Sequence, residues 1–157
     1  MSMSKYTPIA LHASSWYETL RSAFVVAERN RDHTESLAQL NADLLTSQGC
    51  PSPDIFRVPG SLELPGFANQ LLQTGNYDIV IVFGVIIKGK TMHYEFISSA
   101  IFDGIVSLSI SHPSQALISG ILTVEDPSLL PERISDNFAR AALNLWTEKQ
   151  KVKVRSS

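Results

Sequence analysis

One stretch, residues 77–108, constrains the fold more than any other part of the chain. It contains an apolar run at 79–83, rich in β-branched side chains and followed by Gly84. Such a run is typical of a strand that is buried on both faces of a parallel sheet. From His93 onward apolar residues recur at helical spacing, and the polar loop 88–92 lies between the two patterns. The stretch therefore predicts a strand that ends at Gly84, then a loop, then a long helix.

The same alternation of strand and helix extends along the whole chain. Strands are predicted at 22–27, 55–58, 79–83 and 116–122, with a further short edge strand at 9–11. Helices are predicted from 37 to about 49, 61–72, 93–111, 129–134 and 137–149, the first of them after a polar turn at 28–33. Four repeats of this alternation predict a parallel sheet covered by helices on both faces. We expect a flavodoxin-like three-layer α/β/α fold with a four-stranded sheet.

Composition limits the function classes. The chain of 157 residues suits one domain, with an arm at 1–20, a core at 21–150 and a tail at 151–157. A net charge of −2, with only a short basic cluster at 149–155, favours neither nucleic-acid nor membrane binding. Cys50 is the sole cysteine, which excludes an intrachain disulfide and a cysteine-rich metal cluster. No signal peptide or membrane-length apolar run is evident, so we expect a cytoplasmic protein.

Three predicted loops carry the polar side chains of interest: 28–32, 59–63 and 88–93. The carboxyl ends of parallel strands share one edge of a sheet, where ligands bind, so we expect these loops to meet there. With Thr91 as N-cap, His93 would stand in the first turn of a helix, whose free amides favour an anion. The sequence carries neither a Walker-type phosphate loop nor a dinucleotide glycine fingerprint, which argues against nucleotide hydrolysis and NAD.

Each of these residues also has a plain structural interpretation. His93 can be a surface histidine, Glu63 a carboxylate that stabilises a helix start, and Arg133 a solvated partner of Glu132. The sequence Lys88 to Thr91 is suggestive of an anion site, but such loops are common. His12, His33 and His112 show no ligand-like spacing and are interpreted as structural. The residues alone predict an α/β domain with an anion site.

Three segments carry a family resemblance. They read VPGSLELP at 58–65, GVIIKGKTMHYEFISSAIFDGI at 84–105, and GILTVEDPSLLPER at 120–133. Their order and spacing resemble the signature segments of lumazine synthases, over about residues 23–146. The resemblance implies condensation of 5-amino-6-(D-ribitylamino)uracil with 3,4-dihydroxy-2-butanone 4-phosphate to 6,7-dimethyl-8-ribityllumazine, in riboflavin biosynthesis. It implies no metal and no organic cofactor, and a homo-oligomer, a pentamer or a multiple of pentamers, with sites between subunits. Riboflavin is a further candidate ligand.

The resemblance also implies roles for individual residues. His93 would be the general acid/base. Lys90 and Thr91, through the loop backbone and hydroxyl, would hold the phosphate together with Arg133 of a neighbouring subunit. The residues implied around the pyrimidine and its ribityl chain are Arg29, Asn30, Ser61, Leu62, Glu63, Ile86, Ile87 and Ser119. Among these, Ile86 and Ile87 would act through their backbone, and Glu63 would bind the ribityl hydroxyls.

Three positions depart from the family pattern, which usually has aromatic residues where Arg29, Leu62 and Ser119 stand. Arg29 could stack on the heterocycle through its guanidinium plane, or Trp16 could take that role instead. The loop after Arg133 is also shorter than in the family. Two interpretations follow. One is an active enzyme, favoured by the charged site residues; the other is a non-catalytic relative that binds flavin or only forms assemblies.

Overall fold

In the part of the chain that the structure describes, four parallel strands form the sheet that the sequence predicts. The computed structural model describes residues 7–11 and 15–156, of which 15, 16 and 154–156 are described by their backbone only. The strands lie in the order β2-β1-β3-β4, and every neighbouring pair is parallel. Their bounds are β1 Ser22–Ala27, β2 Asp54–Val58, β3 Ile79–Ile87 and β4 Ala116–Val124. The predicted three-layer α/β architecture is thereby confirmed.

The described residues form five helices around the sheet: α1 Arg31–Ser47, α2 Leu64–Thr74, α3 Tyr94–Ser111, α4 Leu130–Arg133 and α5 Asn137–Ser156. Short 3₁₀ turns occupy Ser15–Thr19, Ser61–Glu63 and Pro127–Leu129. Helices α1 and α5 pack on one face of the sheet, and α2 and α3 pack on the other. Within the part of the chain that the structure describes, no helix is long and apolar enough to span a bilayer.

Strand β3 forms the centre of the core, because all nine of its residues are buried. Successive side chains of a strand point to opposite faces. Ile79, Ile81 and Phe83 accordingly join the cluster beneath α1 and α5, whereas Val80 and Val82 join the cluster beneath α2 and α3. Full burial of each large apolar side chain contributes about 1.5–3 kcal/mol. This double burial explains why the run at 79–83 predicts its strand without alternation.

The prediction that this strand ends at Gly84 is wrong, because β3 continues to Ile87 and pairs with β4 along its whole length. Glycine is required here by close packing and not by a turn. A Cβ on Gly84 would lie 2.5 Å from Ser61 Oγ and 3.0 Å from Leu64 Cδ1. The missing side chain therefore lets the 3₁₀ turn Ser61–Glu63 approach the strand.

Helix starts also differ from the predictions. Helix α3 begins at Tyr94, so Thr91 is not its N-cap; that position is taken by His93, in the left-handed conformation with φ 56°. Ser61 does not cap a helix either, since it lies inside a 3₁₀ turn that precedes α2. The predicted turn at 28–33 ends earlier, because left-handed Asn30, φ 60°, allows α1 to begin at Arg31. Positive φ is rare outside glycine, which is why the sequence did not indicate the starts of α1 and α3.

The predicted edge strand at 9–11 does not form. The backbone N–H of Ile9 donates to Asn137 Oδ1, and its carbonyl accepts from Arg140 Nη1. The segment therefore pairs with side chains of α5 in place of a strand. The last helix is longer than predicted, and it takes in the basic residues of the tail.

Candidate functional site

Hydrogen bonds join the ends of three strands at the carboxyl edge of the sheet. The amides of Glu28 and Arg29, which follow β1, donate to carbonyls of Val58 and Pro59, at the end of β2 (2.8 and 3.2 Å). Asn30 Nδ2 then donates to the carbonyl of Val85 in β3 at 3.1 Å. The left-handed backbone of Asn30 directs this contact. The loops after β1 and β2 are therefore fixed relative to the central strand.

A cleft, called the first cleft, opens where these loops meet. It lies between the carboxyl ends of β1 and β3. From this point the strand order runs outward to β2 on one side and to β4 on the other. Such a switch point is the usual ligand position in open α/β sheets. Its volume is about 130 Å³. Its walls are formed by Arg29, Gly60, Ser61, Leu62, Glu63, Val85, Ile86, Thr91 and Ile97. The expected meeting of the three loops is confirmed.

The shape of the first cleft depends on Gly84, which leads to a prediction. Gly84→Ala should displace the Ser61–Glu63 turn and lower the free energy of unfolding by about 1–3 kcal/mol, as overpacking does. Gly66 in α2 provides a matched control, because a Cβ there meets nothing within 4 Å. Gly66→Ala should be neutral or stabilising by about 0.5–1 kcal/mol. Denaturant unfolding of the two variants checks both values, and equal stability of the two would contradict the close-packing account.

Judged over the described residues, the loop after β3 has one cation without a partner, the Lys90 ammonium. Lys88 Nζ lies 3.4 Å from Glu125 Oε1 and 3.5 Å from Glu95 Oε1, and these carboxylates, Glu125 foremost, raise the pKa of its ammonium group. Lys90 is exposed, and its ammonium has no ion-pair or hydrogen-bond partner within the described residues. The amides of Lys90 and Thr91 both donate to the carbonyl of Ile87, at 3.3 and 3.1 Å. An anion at this loop would therefore meet the Lys90 ammonium and the Thr91 hydroxyl more readily than these two amides.

His93 lies at the end of this loop, at the N-cap of α3. Its side chain is exposed and its ring centroid is 6.4 Å from that of Phe96, in an edge-on arrangement. Its carbonyl accepts a hydrogen bond from the Ile97 amide at 2.9 Å, so the residue is anchored to the first turn of α3 by its backbone. The imidazole is thus free to contact a ligand that extends from the first cleft past Thr91.

Two charges of opposite sign line the first cleft, those of Arg29 and Glu63. The Arg29 guanidinium forms no ion pair with any described residue, whereas nearby Arg57 is bound to Glu35 at 2.8 Å. The hydrogen bond from Arg57 lowers the pKa of Glu35. Arg57 is therefore committed to a structural pair, and Arg29 is the guanidinium available to a ligand.

A larger cleft, called the second cleft, lies between the edge strand β4 and the start of α5, with a volume of about 440 Å³. Arg133 lies in its wall and donates from Nη1 to the carbonyl of Thr123 at 3.1 Å. This bond uses one of five guanidinium N–H donors and leaves the others for a ligand. Among the residues that the structure describes, those lining this cleft are Ile9, Ile118, Ser119, Ile121, Leu122, Thr123, Arg133, Ser135, Asn137, Phe138 and Ala141.

The predicted site residues fall into three groups. The first cleft contains Arg29, Ser61, Leu62, Glu63, Ile86 and Thr91, and the second contains Ser119 and Arg133. Neither cleft is lined by Asn30, Ile87, Lys90 or His93, and the two clefts share no lining residue within the described part of the chain. The side chain of Ile87 points into the core beneath α1 and α5. Trp16, the alternative stacking residue, and His12 have side chains outside the described part of the chain.

Sequence reasoning missed several lining residues. Val85 was missed because the strand was expected to end before it, although its β-branched side chain continues the apolar run. Ile97 lines the first cleft one helical turn after His93. This i, i+4 spacing could have indicated that the two residues share one face of the helix. Ile9 carried no signal. Among the described residues, no three His, Cys, Asp or Glu side chains are grouped so that they could hold a metal ion.

Comparisons with known proteins agree on one family. The family model described as 6,7-dimethyl-8-ribityllumazine synthase matches residues 19–150. A 6,7-dimethyl-8-ribityllumazine synthase of Pyrococcus furiosus is 38% identical over 109 residues, covering 69% of this chain and 68% of that protein. The 6,7-dimethyl-8-ribityllumazine synthase 1 of Caulobacter vibrioides is 34% identical over 128 residues, covering 79% and 84%. That of Anaeromyxobacter sp. (strain K) is 34% identical over 116 residues, covering 73% and 71%.

Proposed function

Because the chain belongs to the 6,7-dimethyl-8-ribityllumazine synthase family, we propose that its first and second clefts are the two halves of one active site, formed between neighbouring subunits. The protein is a transferase of riboflavin biosynthesis. It condenses 5-amino-6-(D-ribitylamino)uracil with 3,4-dihydroxy-2-butanone 4-phosphate to 6,7-dimethyl-8-ribityllumazine, with release of phosphate and water. The observation that carries the proposal for the site is the meeting of Ser61, Glu63 and Thr91 in one cleft at the switch point of the sheet.

The volumes of the two clefts support a shared site. Pockets for small molecules usually measure about 300–1,000 Å³, and the first cleft, at about 130 Å³, is below that range. It offers the Glu63 carboxylate, the hydroxyls of Ser61 and Thr91, and a few apolar side chains. The second cleft adds Arg133 and further apolar side chains, among them Ile118, Leu122 and Phe138. A neighbouring subunit that brings its second cleft against the first would complete both.

The phosphate would bind where the two halves meet. The Lys90 ammonium and the Thr91 hydroxyl approach it from one subunit, and Arg133 approaches from the neighbour. Charge-assisted bonds from an arginine fork are short and strong, and they match the geometry of phosphate oxygens. The free amides of the first turn of α3 favour the same charge. This arrangement holds the leaving group beside His93.

His93 would act as the general acid/base. Formation of the imine, loss of phosphate and ring closure each require a proton to be moved, and an imidazole suits that task near neutral pH. His93 is exposed and follows Thr91 by two residues, so its ring can reach a substrate whose phosphate contacts Thr91. Glu63 and the backbone of Ser61 would bind the ribityl hydroxyls. The backbone of Ile86 and Ile87 would contact the pyrimidine, and Asn30 would lie beside the same ring.

Assembly as a homo-oligomer follows from the shared site, and we assign a cyclic pentamer. Ala142 and Trp146 of α5 are buried in the subunit itself and do not supply a contact surface. Exposed apolar side chains lie on one face of α3, at Phe96, Val106 and Ile110, and on α5 at Leu145 and Val152. Val106 and Ile110 are about one helical turn apart, and exposed apolar side chains that are grouped in this way mark an interaction surface. Sedimentation of a monomer at micromolar concentration would contradict the assembly. A biosynthetic enzyme of this kind is assigned to the cytoplasm.

Incubation of the purified protein with both substrates tests the proposed function. We expect lumazine fluorescence and release of phosphate in equal amounts, with neither signal when one substrate is left out. Binding of flavin without any turnover would instead identify a non-catalytic relative.

Arg29 gives a prediction about ligand affinity. It lines the first cleft where the family usually has an aromatic residue, and an aromatic stacking pair contributes about 1 kcal/mol beyond area burial. Arg29→Trp should therefore bind riboflavin roughly five- to tenfold more tightly, as measured by quenching of flavin fluorescence. Arg31→Trp is the matched control, since Arg31 is exposed and lies outside both clefts. Unchanged or weaker binding by Arg29→Trp would show that Arg29 does not face the ring.

A further inference from the structure

We propose that Ile9 is a specificity-determining residue for the pyrimidine substrate, held in the second cleft by a strap formed by residues 7–11. The inference rests on the proposed function, because only there is the second cleft part of the active site. It concerns residues 7–11, to which the proposed function assigns no role.

Both backbone polar groups of Ile9 are bound by side chains of α5. Its amide donates to Asn137 Oδ1 at 2.8 Å, and its carbonyl accepts from Arg140 Nη1 at 3.2 Å. Arg140 is itself oriented by Asp136, whose Oδ1 lies 2.8 Å from Arg140 Nε. Because the donor and the acceptor of Ile9 are both satisfied, the position of its Cα relative to α5 is fixed.

The residues on either side of Ile9 are bound in the same way. Asn137 Nδ2 donates to the carbonyl of Thr7 at 3.1 Å, and Asn144 Nδ2 donates to the carbonyl of Ala10 at 2.9 Å. Positions 137, 140 and 144 recur at i, i+3 and i+7, so the three side chains share one face of the helix. The helix therefore binds the backbone of the strap in a single register. The side chains of the strap take no part in these hydrogen bonds and can contact other groups.

The side chain of Ile9 forms part of the wall of the second cleft. The side chain is half-buried and lines the cleft together with Ser119, Phe138 and Arg133. At about 440 Å³ with mostly apolar walls, the cleft has the size and character of a small-molecule pocket. Ile9 offers apolar surface and no hydrogen-bond donor, so it can contact a heterocycle but not a phosphate. Ile9 and Arg133 line the same cleft, so Ile9 would contribute to the same active site of the neighbouring subunit as Arg133 does.

Steady-state kinetics of the full-length Ile9→Ala enzyme test this inference. Loss of apolar contact in a substrate pocket typically changes specificity about tenfold or more. We expect the KM for the ribitylaminouracil to rise about tenfold, with the KM for the dihydroxybutanone phosphate and the melting temperature unchanged. Ile9→Leu, which keeps the volume, should stay close to wild type. Ala10→Ser is the matched control, because the Ala10 side chain is exposed and its backbone contact remains.

The outcomes separate the inference from the proposed function. An active wild type with an unchanged pyrimidine KM in Ile9→Ala would overturn the inference and leave the function intact. A rise in both KM values together, or a lower melting temperature, would also overturn it, since it would show a structural role. A wild type without turnover would overturn the proposed function. In that case riboflavin titration still decides, because about tenfold weaker binding by Ile9→Ala supports the contact and equal binding excludes it.

Discussion

His93→Ala should lower turnover by about a hundredfold or more while the protein keeps its fold. The imidazole is exposed, its ring packs only at 6.4 Å from Phe96, and its backbone anchor through Ile97 does not depend on the side chain. Its removal therefore costs no core packing, so any loss of rate reports on chemistry. The left-handed backbone at φ 56° makes His93→Asn a useful second variant, since asparagine tolerates that conformation.

Turnover should be measured at saturating concentrations of both substrates, together with thermal unfolding. His33→Ala is the control, because His33 lies on α1 outside both clefts. We expect wild-type turnover for His33→Ala, and the same large loss for His93→Ala and His93→Asn. A His93→Ala enzyme that turns over at the wild-type rate would remove His93 from the mechanism.

Arg133→Ala should lower kcat/KM for the phosphate-bearing substrate by about a hundredfold, because truncation of one partner of a desolvated charge pair costs about 2–5 kcal/mol. Arg133→Lys keeps the charge but loses the fork, so it should recover only part of the loss. The KM for the ribitylaminouracil should change little. Glu132→Ala is the control, since Glu132 is the exposed neighbour of Arg133 on α4.

The measurement is kinetics with each substrate varied in turn. If Arg133→Ala and Glu132→Ala had the same KM for the phosphate substrate, Arg133 would not be its cation. Loss of the bond to the Thr123 carbonyl is the structural effect of the substitution, and thermal unfolding shows its size separately.

The sequence predicts the layers of the fold well, because the core is built from local patterns. The β-branched run at 79–83 and the helical spacing after His93 identify β3 and α3 without reference to any other part of the chain. Element ends were less predictable, since they depend on distant contacts. Position 84 is a glycine inside β3 because Ser61 packs closely against it, and no local pattern reports that contact.

The candidate site was predicted in its parts but not in its arrangement. The resemblance identified Thr91, Glu63 and Arg133, while only the fold separates them into two clefts. Left-handed backbone at Asn30 and His93 fixed the loop geometry, and neither residue type specifies that conformation from sequence. Ile9 was expected in an edge strand, since nothing in the sequence indicates that Asn137 and Arg140 bind its backbone.

Co-expression of the His93→Ala and Arg133→Ala chains tests the central claim, a site shared between subunits, most directly. In randomly mixed rings, about a quarter of the interfaces would join an intact His93 to an intact Arg133 of the neighbour. Purified mixed assemblies should therefore regain about a quarter of the wild-type rate of lumazine formation, far above either variant alone. Mixed assemblies no more active than the average of the two single variants would contradict the shared site and place the whole active site within one subunit.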